Sequence, residues 1–333
     1  MGLRCLDSAR VPILSLPVNL RARPWFQGSQ WRGLAIMAIC LAVSAGACFS
    51  ARARPVVVAA YNVENYLPMV REGNAAEETT LPKPEEEIRG VVAVILGVRP
   101  DILLVVEIGK EDMLDDLQSR LKKSGWDLPH REWVRGADPD RHLALLSRFP
   151  IVSRQSADNV PFELGGTPHF VGRGFLDVTV DAGPLGPLRL MGAHLKSRRP
   201  VPGFDEAQLR AREADLLRQR IKDALEADPS LQLIALGDFN DVKNSAPIRQ
   251  LIGQRGAPDY MADVWLRDSR GEAWTHYWKA ADTYSRIDYL LISPALVPRL
   301  DMQHSGIADP PAWDAGSDHR LIYAAFQTPE VIP

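Results

Sequence analysis

Two short polar segments of the sequence combine residue types that hydrolytic enzymes use. In the first, Asp238 and Asn240 follow Gly237; in the second, Asp318 and His319 are adjacent. Gly237 allows the chain to turn directly after a buried strand, so that the side chains at 238 and 240 face the same side. Carboxylate and amide oxygens bind Mg²⁺, and histidine transfers protons near neutral pH. The two segments therefore predict a metal-assisted hydrolytic site.

Polar residues of the same kinds end other apolar runs of the chain. Asn62 follows one such run, Glu107 a second and His194 a third. One polar residue at a strand end is usually a turn former or a helix cap. Amide, carboxylate and imidazole groups at successive strand ends instead indicate phosphoester hydrolysis, because a cation and an imidazolium must offset the charge that develops on an attacked phosphate.

Apolar runs alternate with helical patterns and predict the elements that position these residues. A turn at 183–187 predicts that the runs on either side of it form an antiparallel hairpin. No repeat and no low-complexity linker is present in the sequence, so we expect one α/β unit of two facing sheets with helices outside. The predicted strands are 56–60, 102–106, 142–146, 175–180, 188–193, 231–236, 287–292 and 321–326, and the predicted helices are 86–96, 112–123 and 205–227.

Composition and cysteine positions exclude several classes of function. The 333 residues are 46% hydrophobic and 24% charged, as in globular proteins with a sizeable core. A net charge of -3 argues against a protein that grips long stretches of nucleic acid through a basic surface. Cys5, Cys40 and Cys48 all precede residue 55, which excludes disulfides, thiol catalysis and cysteine-ligated zinc from the rest of the chain.

Residues 1–53 have the pattern of a targeting segment. A basic region precedes the apolar stretch 34–47. Its length of about 14 residues is shorter than the roughly 20 that span a bilayer. We therefore expect a cleaved signal, a periplasmic or secreted catalytic domain at 54–330, and no transmembrane segment after cleavage. An uncleaved anchor, a start codon placed too early and lipidation of Cys48 are the alternatives.

Ordered motifs along the chain resemble those of the endonuclease/exonuclease/phosphatase superfamily, also called deoxyribonuclease-I-like. The resemblance covers about residues 55–328 and implies a four-layer α/β sandwich, with two mixed, mainly antiparallel sheets flanked by helices and the active site at one edge of the sheets. It also implies Mg²⁺ as the cofactor, with Mn²⁺ as a substitute. The motifs are AYNVE at 60–64, PDILLVVE at 100–107, LLSRFP at 145–150, AHLKS at 193–197, LGDFND at 236–241, RIDYLLI at 286–292 and GSDH at 316–319.

The same resemblance implies a role for each matching residue. Asp238 and Asn240 orient or activate the water and hold the phosphate, while His319, paired with Asp288, is the catalytic histidine. His194 contacts the phosphate and assists the leaving group, although the sequence leaves open which histidine is acid and which is base. The full expected set is Asn62, Glu107 and Asp318 for the metal, His194, Asp238, Asn240, Asp288 and His319 for catalysis, and Arg173 and Lys196 for substrate binding.

Several of these candidates have a plainer explanation. Arg173 is equally well explained as a surface arginine, and Lys196 as a charge at a helix start. An aromatic group before residue 286 is able to stack on bases, receive a lipid or pack in the core. We expect three further histidines to be structural. The aromatic residues are Trp274, Tyr277, Trp278 and Tyr284, and the structural histidines are His142, His169 and His276.

The substrate stays open at the level of sequence. A monomeric phosphodiesterase without a stable protein partner, acting on nucleic acid, is the leading expectation. A lipid phosphodiesterase of the sphingomyelinase kind is the runner-up, followed by a phosphomonoesterase. A catalytically silent binding module would normally have lost part of the polar set, and a zinc hydrolase would use more histidine or cysteine.

Overall fold

The computed structural model describes residues 54–70, 80–200 and 203–328. The targeting segment predicted at 1–53 lies outside them, so cleavage and export remain predictions. No helix in these three stretches is long and apolar enough to cross a membrane.

The first of two large sheets carries the N-terminal strand of the described chain. Its strands are β1 (Val56–Tyr66), β2 (Ile102–Ile108), β3 (His130–Val134), β4 (His142–Ser147), β15 (Leu300–Ile307) and β16 (Ile322–Phe326). They lie in the order β15, β16, β1, β2, β4, β3. The central strands β1 and β2 run parallel, whereas their outer neighbours β16 and β4 are antiparallel to them.

The second sheet repeats this arrangement. Its strands are β5 (Ile151–Arg154), β8 (Leu176–Asp181), β9 (Pro187–His194), β10 (Leu233–Asp238), β11 (Ala262–Asp263) and β14 (Asp288–Ile292), in the order β11, β14, β10, β9, β8, β5. The central strands β9 and β10 are parallel, and β8 and β14 flank them in antiparallel pairing. Two small hairpins complete the strands: β6 (Pro161–Leu164) pairs with β7 (Thr167–Phe170), and β12 (His276–Trp278) pairs with β13 (Thr283–Ser285).

Helices cover the outer faces of both sheets. They are α1 (Glu85–Val98), α2 (Glu111–Lys123), α3 (Glu206–Ala227) and α4 (Ala246–Ile252). Apolar residues of α1 and α2 pack against the first sheet, and those of α3 and α4 against the second. The Asp205 side chain caps α3 by accepting a hydrogen bond from the Ala207 N–H at 2.9 Å. The predicted four-layer sandwich of two mixed sheets is confirmed.

Besides the two apolar cores between each sheet and its helices, a third apolar core fills the space between the sheets. It leads directly to a polar edge of the sandwich. Side chains of a strand alternate between its two faces. On β1, Val58 and Ala60 belong to this core, so the next inward position is Asn62. On β10, Leu236 belongs to it and the next inward position is Asp238. The rows that build the core therefore end in the candidate catalytic groups.

Candidate active site

Strand direction brings six predicted site residues to one edge of the sandwich. The parallel pairs β1/β2 and β9/β10 end at this edge. The antiparallel strands β14 and β16 begin there, because each pairs in reverse with a strand that ends there. The residues at these positions are Asn62 on β1, Glu107 on β2, His194 on β9, Asp238 on β10, Asp288 on β14 and His319 just before β16.

Glu107 reaches the site through a local irregularity of β2. Val106 faces the core between the sheets, so regular alternation would point the next side chain outward. Glu107 has a φ of 63°, and the pairing of β2 with β4 shifts register at this point. The bulge redirects the carboxylate. Its Oε2 accepts the Asn65 N–H at 3.1 Å, and its Oε1 lies 3.4 Å from Asn62 Nδ2.

Gly237 allows β10 to approach β9 closely enough to place Asp238. Its φ is 134°, and a Cβ there would lie 2.0 Å from the Ala193 carbonyl oxygen. Asp238 Oδ1 accepts the Asn240 N–H at 2.9 Å, and the Asn240 side-chain amide donates to the Leu195 carbonyl at 2.9 Å. The turn is thus held by its own polar groups.

Phe239 lies between Asp238 and Asn240 and packs in the apolar core that α3 and α4 form with the second sheet, on the face away from Asp238. It is fully buried and stacks on Tyr289 with ring centroids 5.6 Å apart.

The second carboxylate oxygen of Asp238 lies at the centre of the polar edge. Asn62 Nδ2 donates to Oδ2 at 3.1 Å, and the Nε2 atoms of His194 and His319 lie 3.6 and 3.7 Å from it. Burial raises the pKa of Asp238 to about 7. The positive charge of His319 opposes this increase, and the negative charge of Asp288 adds to it. Asp238 is therefore a carboxyl able to exchange a proton near neutral pH.

The two histidines occupy opposite electrostatic environments. His319 Nδ1 lies 2.9 Å from Asp288 Oδ2. Burial alone would lower the pKa of His319, but Asp288 and Asp238 hold it well above the usual value. Burial lowers the pKa of His194 well below that value, and the positive charge of Arg173 lowers it further. The two environments therefore favour the charged form of His319 and the neutral form of His194.

Asp318 lies at the rim of the site beside His276. Its Oδ2 is 3.5 Å from His276 Nε2, its Oδ1 is 3.9 Å from His319 Nε2, and its N–H donates to Glu64 at 2.9 Å. The β12/β13 hairpin brings His276 into a backbone bridge with His319, and their rings lie 4.6 Å apart. The sequence predicts only a structural role for His276, because the pairing of a hairpin with a distant segment leaves no signature at an isolated histidine.

The residues at this edge fit a hard divalent cation. Besides burial, the negative charges of Asp288 and Glu107 raise the pKa of Asp238, so the carboxylates at this edge repel one another. Two groups of three residues also bring possible ligand atoms within 4.8 Å of one another: Asp238, Asp288 and His319, and His276, Asp318 and His319. Carboxylate and amide oxygens are the ligands that Mg²⁺ prefers.

The two predicted substrate-binding cations differ in placement. Arg173 is largely buried, and its positive charge adds to burial in lowering the pKa of His194. The Lys196 ammonium instead folds back on its own loop, where it donates to the carbonyls of Ser197 at 3.0 Å and Arg199 at 3.1 Å. Substrate binding by either residue remains a prediction. The start of α3 at residue 206 rules out a helix-start role for Lys196.

Two charged residues near the site were not anticipated from sequence. Arg141 Nε lies 3.8 Å from Glu107 Oε2. Glu213 on α3 accepts hydrogen bonds from the N–H of Gly172, which precedes Arg173, and from the N–H of Lys196. Glu213 lies in a helix rich in charged residues, where no sequence signal separates it from solvent-facing acids.

The sequence profile described as the Endonuclease/Exonuclease/phosphatase family matches residues 59–319, a span that contains every predicted site residue. The chain belongs to this family. Proteins of the endonuclease/exonuclease/phosphatase family hydrolyse phosphoesters and generally use divalent metal ions. A comparison with curated proteins gives no match.

Solved structures of low sequence identity share the fold. D. rerio TDP2 complexed with a single-strand DNA product is 20% identical, with a TM-score of 0.54 over 82% of this chain and 99% of that one. The human Nocturnin catalytic domain with bound sulfate is 18% identical, with a TM-score of 0.57 over 84% and 96%. Sphingomyelinase C from Streptomyces griseocarneus is 16% identical, with a TM-score of 0.54 over 82% and 99%.

Proposed function

We propose that this family member is an exported, Mg²⁺-dependent phosphodiesterase that acts as a monomer and uses in-line attack of water on phosphorus. The observation that carries the proposal is the position of Asp238 Oδ2, with His194 Nε2 at 3.6 Å on one strand and His319 Nε2 at 3.7 Å on another. Asp238 can accept a proton from the entering water, and the neighbouring imidazolium of His319 can supply one for the departing oxygen.

Glu107, Asn62 and Asp318 are the residues that would hold the cation. A bound Mg²⁺ supplies positive charge against the phosphate and its leaving oxygen. Asn62 Oδ1 accepts the Glu64 N–H at 3.0 Å, which fixes the amide beside Glu107. Mn²⁺ meets the same oxygen-rich requirement and is expected to substitute.

Asp238 accepts the proton of the attacking water in this mechanism. A base works best when its pKa lies near the working pH, and burial places the pKa of Asp238 at about 7. The Asn240 N–H fixes the other carboxylate oxygen, so that Oδ2 keeps its direction. Asn240 thus acts with Asp238 in orienting the water.

The histidines divide the remaining work. His319, held by Asp288, presents an imidazolium to the phosphate oxygens as negative charge grows there. His194 Nε2 faces the same centre from β9 and contacts the leaving-group side. Arg173 adds a fixed positive charge beside His194.

Nucleic acid diesters are the first substrate class to test, and lipid diesters the second. The structure of D. rerio TDP2 with a single-strand DNA product motivates the first. Sphingomyelinase C motivates the second, together with two exposed aromatic side chains of the β12/β13 hairpin, Trp278 and Tyr284. This hairpin adjoins the site through His276.

A substrate panel tests the proposal. Single- and double-stranded DNA, RNA, sphingomyelin, sugar phosphates and bis-p-nitrophenyl phosphate are incubated with Mg²⁺, Mn²⁺, Ca²⁺ or EDTA. We expect diester cleavage with Mg²⁺ or Mn²⁺, none with EDTA, and none in Glu107→Gln or His319→Ala. Activity that survives EDTA, or full activity in both variants, contradicts the mechanism. N-terminal sequencing of protein recovered from the medium or periplasm tests export.

A further inference from the structure

Close backbone contacts at Gly174 and Gly136 hold the turn that carries Arg173. Gly172 precedes the arginine and Gly174, with a φ of 64°, follows it. A Cβ on Gly174 would lie 2.4 Å from the Ala157 carbonyl oxygen, and a Cβ on the facing Gly136 would lie 2.5 Å from the Arg173 carbonyl carbon. The backbone around Arg173 is therefore closely packed on both sides.

The guanidinium of Arg173 is held there without a complete set of partners. Its side chain is 12% exposed. Its Nε lies 3.3 Å from Asp138 Oδ2, yet finds no aligned hydrogen-bond acceptor among the described residues. A buried donor of this kind costs free energy unless a ligand completes it. An anionic phosphate beside His194 is a ligand of the required charge.

A buried carboxylate of α3 fixes this turn to the chain beyond His194. Glu213 Oε1 accepts the Gly172 N–H at 3.1 Å, and Oε2 accepts the Lys196 N–H at 2.6 Å. One helical turn earlier, Arg210 donates to the Lys196 carbonyl at 3.2 Å. The main-chain N–H and carbonyl of Lys196 are therefore both held by side chains of α3. Glu213 also holds the turn that carries Arg173.

We propose that Glu213 is a positioning residue, which sets the distance between Arg173 and His194 and thereby forms the phosphate-binding side of the site. This inference rests on the proposed phosphodiesterase function. The hydrogen bonds of the Glu213 carboxylate come from the main-chain N–H groups of Gly172 and Lys196, so Glu213 acts on the site through the segments that it joins.

The cost of burying Glu213 argues against a role in packing alone. Apart from Arg210, the buried residues of α3 around Glu213 are apolar, namely Leu209, Ala214 and Leu217. Burial raises the pKa of Glu213, although the N–H groups of Gly172 and Lys196 and the charge of Arg173 oppose the increase. A leucine would fill this position without that penalty. A carboxylate at this position is explained because it joins two main-chain segments, the one before Arg173 and the one after His194.

A double-mutant cycle tests the proposal in the full-length protein with its usual metal. The variants are Glu213→Gln, Arg173→Ala and both together, and the readouts are KM and kcat for bis-p-nitrophenyl phosphate and the Kd of inorganic phosphate. The glutamine keeps the shape of Glu213 but places an NH₂ group against a main-chain N–H. We expect Glu213→Gln to raise KM and the phosphate Kd by about tenfold, the value of one lost charge-assisted hydrogen bond.

Non-additivity distinguishes positioning from general destabilisation. If Glu213 acts through Arg173, adding Glu213→Gln to Arg173→Ala produces little further loss. Multiplicative effects, or wild-type KM and phosphate Kd in Glu213→Gln, overturn the inference. Glu213→Asp, which keeps the charge but withdraws it by one methylene, is the second variant if the glutamine variant does not fold, and the same binding defect is expected.

Asp101→Asn is the matched control. Asp101 is also a buried carboxylate that accepts a main-chain N–H, from Val57 at 3.0 Å, but it precedes β2 at the opposite end of the sheet. We expect it to reduce stability and leave KM and phosphate Kd unchanged. The phosphate Kd needs no turnover, so it tests Glu213 even where the panel detects no hydrolysis. Absence of hydrolysis would contradict the proposed function, and an unchanged phosphate Kd in Glu213→Gln would contradict the positioning role.

Discussion

Nδ1 of His319 lies 2.9 Å from Oδ2 of Asp288, and both side chains are buried. The main-chain N–H of Asp288 donates to Thr275 Oγ1 at 3.1 Å, which fixes the backbone that carries the Asp288 carboxylate. Because Nδ1 is engaged, Nε2 of the imidazole faces Asp238 and the phosphate side of the site. The pair therefore fixes the direction of the His319 ring and favours its charged form.

Replacing Asp288 with asparagine is expected to reduce kcat by about 100-fold or more. The amide no longer stabilises an imidazolium, and general acid-base groups typically contribute at least this factor. The measurement is kcat for bis-p-nitrophenyl phosphate at pH 7, with circular dichroism to confirm folding. Asp301→Asn is the matched control, because Asp301 Oδ2 lies 2.8 Å from His304 Nδ1 in a pair away from the site. Equal losses in the two variants would contradict the role of Asp288.

Glu107→Gln is expected to weaken Mg²⁺ binding by more than about 10-fold and to abolish hydrolysis. Even groups that only orient metal ligands cost 10- to 100-fold in affinity when removed, so a direct ligand should cost at least as much. Isothermal titration with Mg²⁺ measures the affinity, independently of turnover. Glu132→Gln removes an acid of β3 that pairs with Arg154 at 2.8 Å and should leave Mg²⁺ affinity unchanged. Wild-type affinity in Glu107→Gln would remove Glu107 from the metal site.

Gly237→Ala is expected to destabilise the protein by about 1–3 kcal/mol and to reduce activity, because the new Cβ overpacks against β9. The contact would be 2.0 Å from the Ala193 carbonyl, beside both His194 and Asp238. Urea unfolding and kcat measure the two effects. Gly97→Ala in α1 meets nothing within 4 Å and should stabilise by up to about 1 kcal/mol. A neutral Gly237→Ala would show that β9 and β10 can separate without loss of function.

Strand alternation explains how much of the site the sequence could predict. Asn62, Asp238 and His194 end regular apolar rows, and Asp288 begins one, so their side follows from a period of two residues. Glu107 does not follow this rule, because its direction depends on a bulge with positive φ. His276 and Glu213 reach the site through a hairpin and a helix that approach from elsewhere in the chain. Pairing between distant segments leaves no local pattern.

The predicted elements show the same division. The long apolar runs gave β1, β2, β4, β8, β9, β10, β14 and β16, and amphipathic periodicity gave α1, α2 and α3. The edge strands β3, β5, β11 and β15, the two small hairpins and the short helix α4 were not predicted. Most of these strands are short or partly exposed, as in β5, where no residue is buried. Hydrophobic periodicity is too weak over such segments to distinguish a strand from a loop.

Asp268→Asn is expected to cost about 3 kcal/mol at pH 7, because it leaves the guanidinium of Arg320 buried without its charge partner. Arg320 directly follows His319 in the sequence. Its Nη2 lies 2.9 Å from Asp268 Oδ2, and both side chains are fully buried. Burial alone would raise the pKa of Asp268, but the hydrogen bond from Arg320 holds it below the usual value. A carboxyl with a lowered folded pKa stabilises the protein above its unfolded pKa of about 4, and this contribution is lost as pH falls through the folded pKa. The difference between wild type and variant should therefore be largest at neutral pH and shrink below pH 4, as measured by urea unfolding at pH 7, 4 and 3.

Asp215→Asn, which removes an exposed pair with Arg212 at 3.3 Å, should change stability little at any of these pH values. A difference independent of pH would mean that packing, and not the ion pair, stabilises the segment that carries His319.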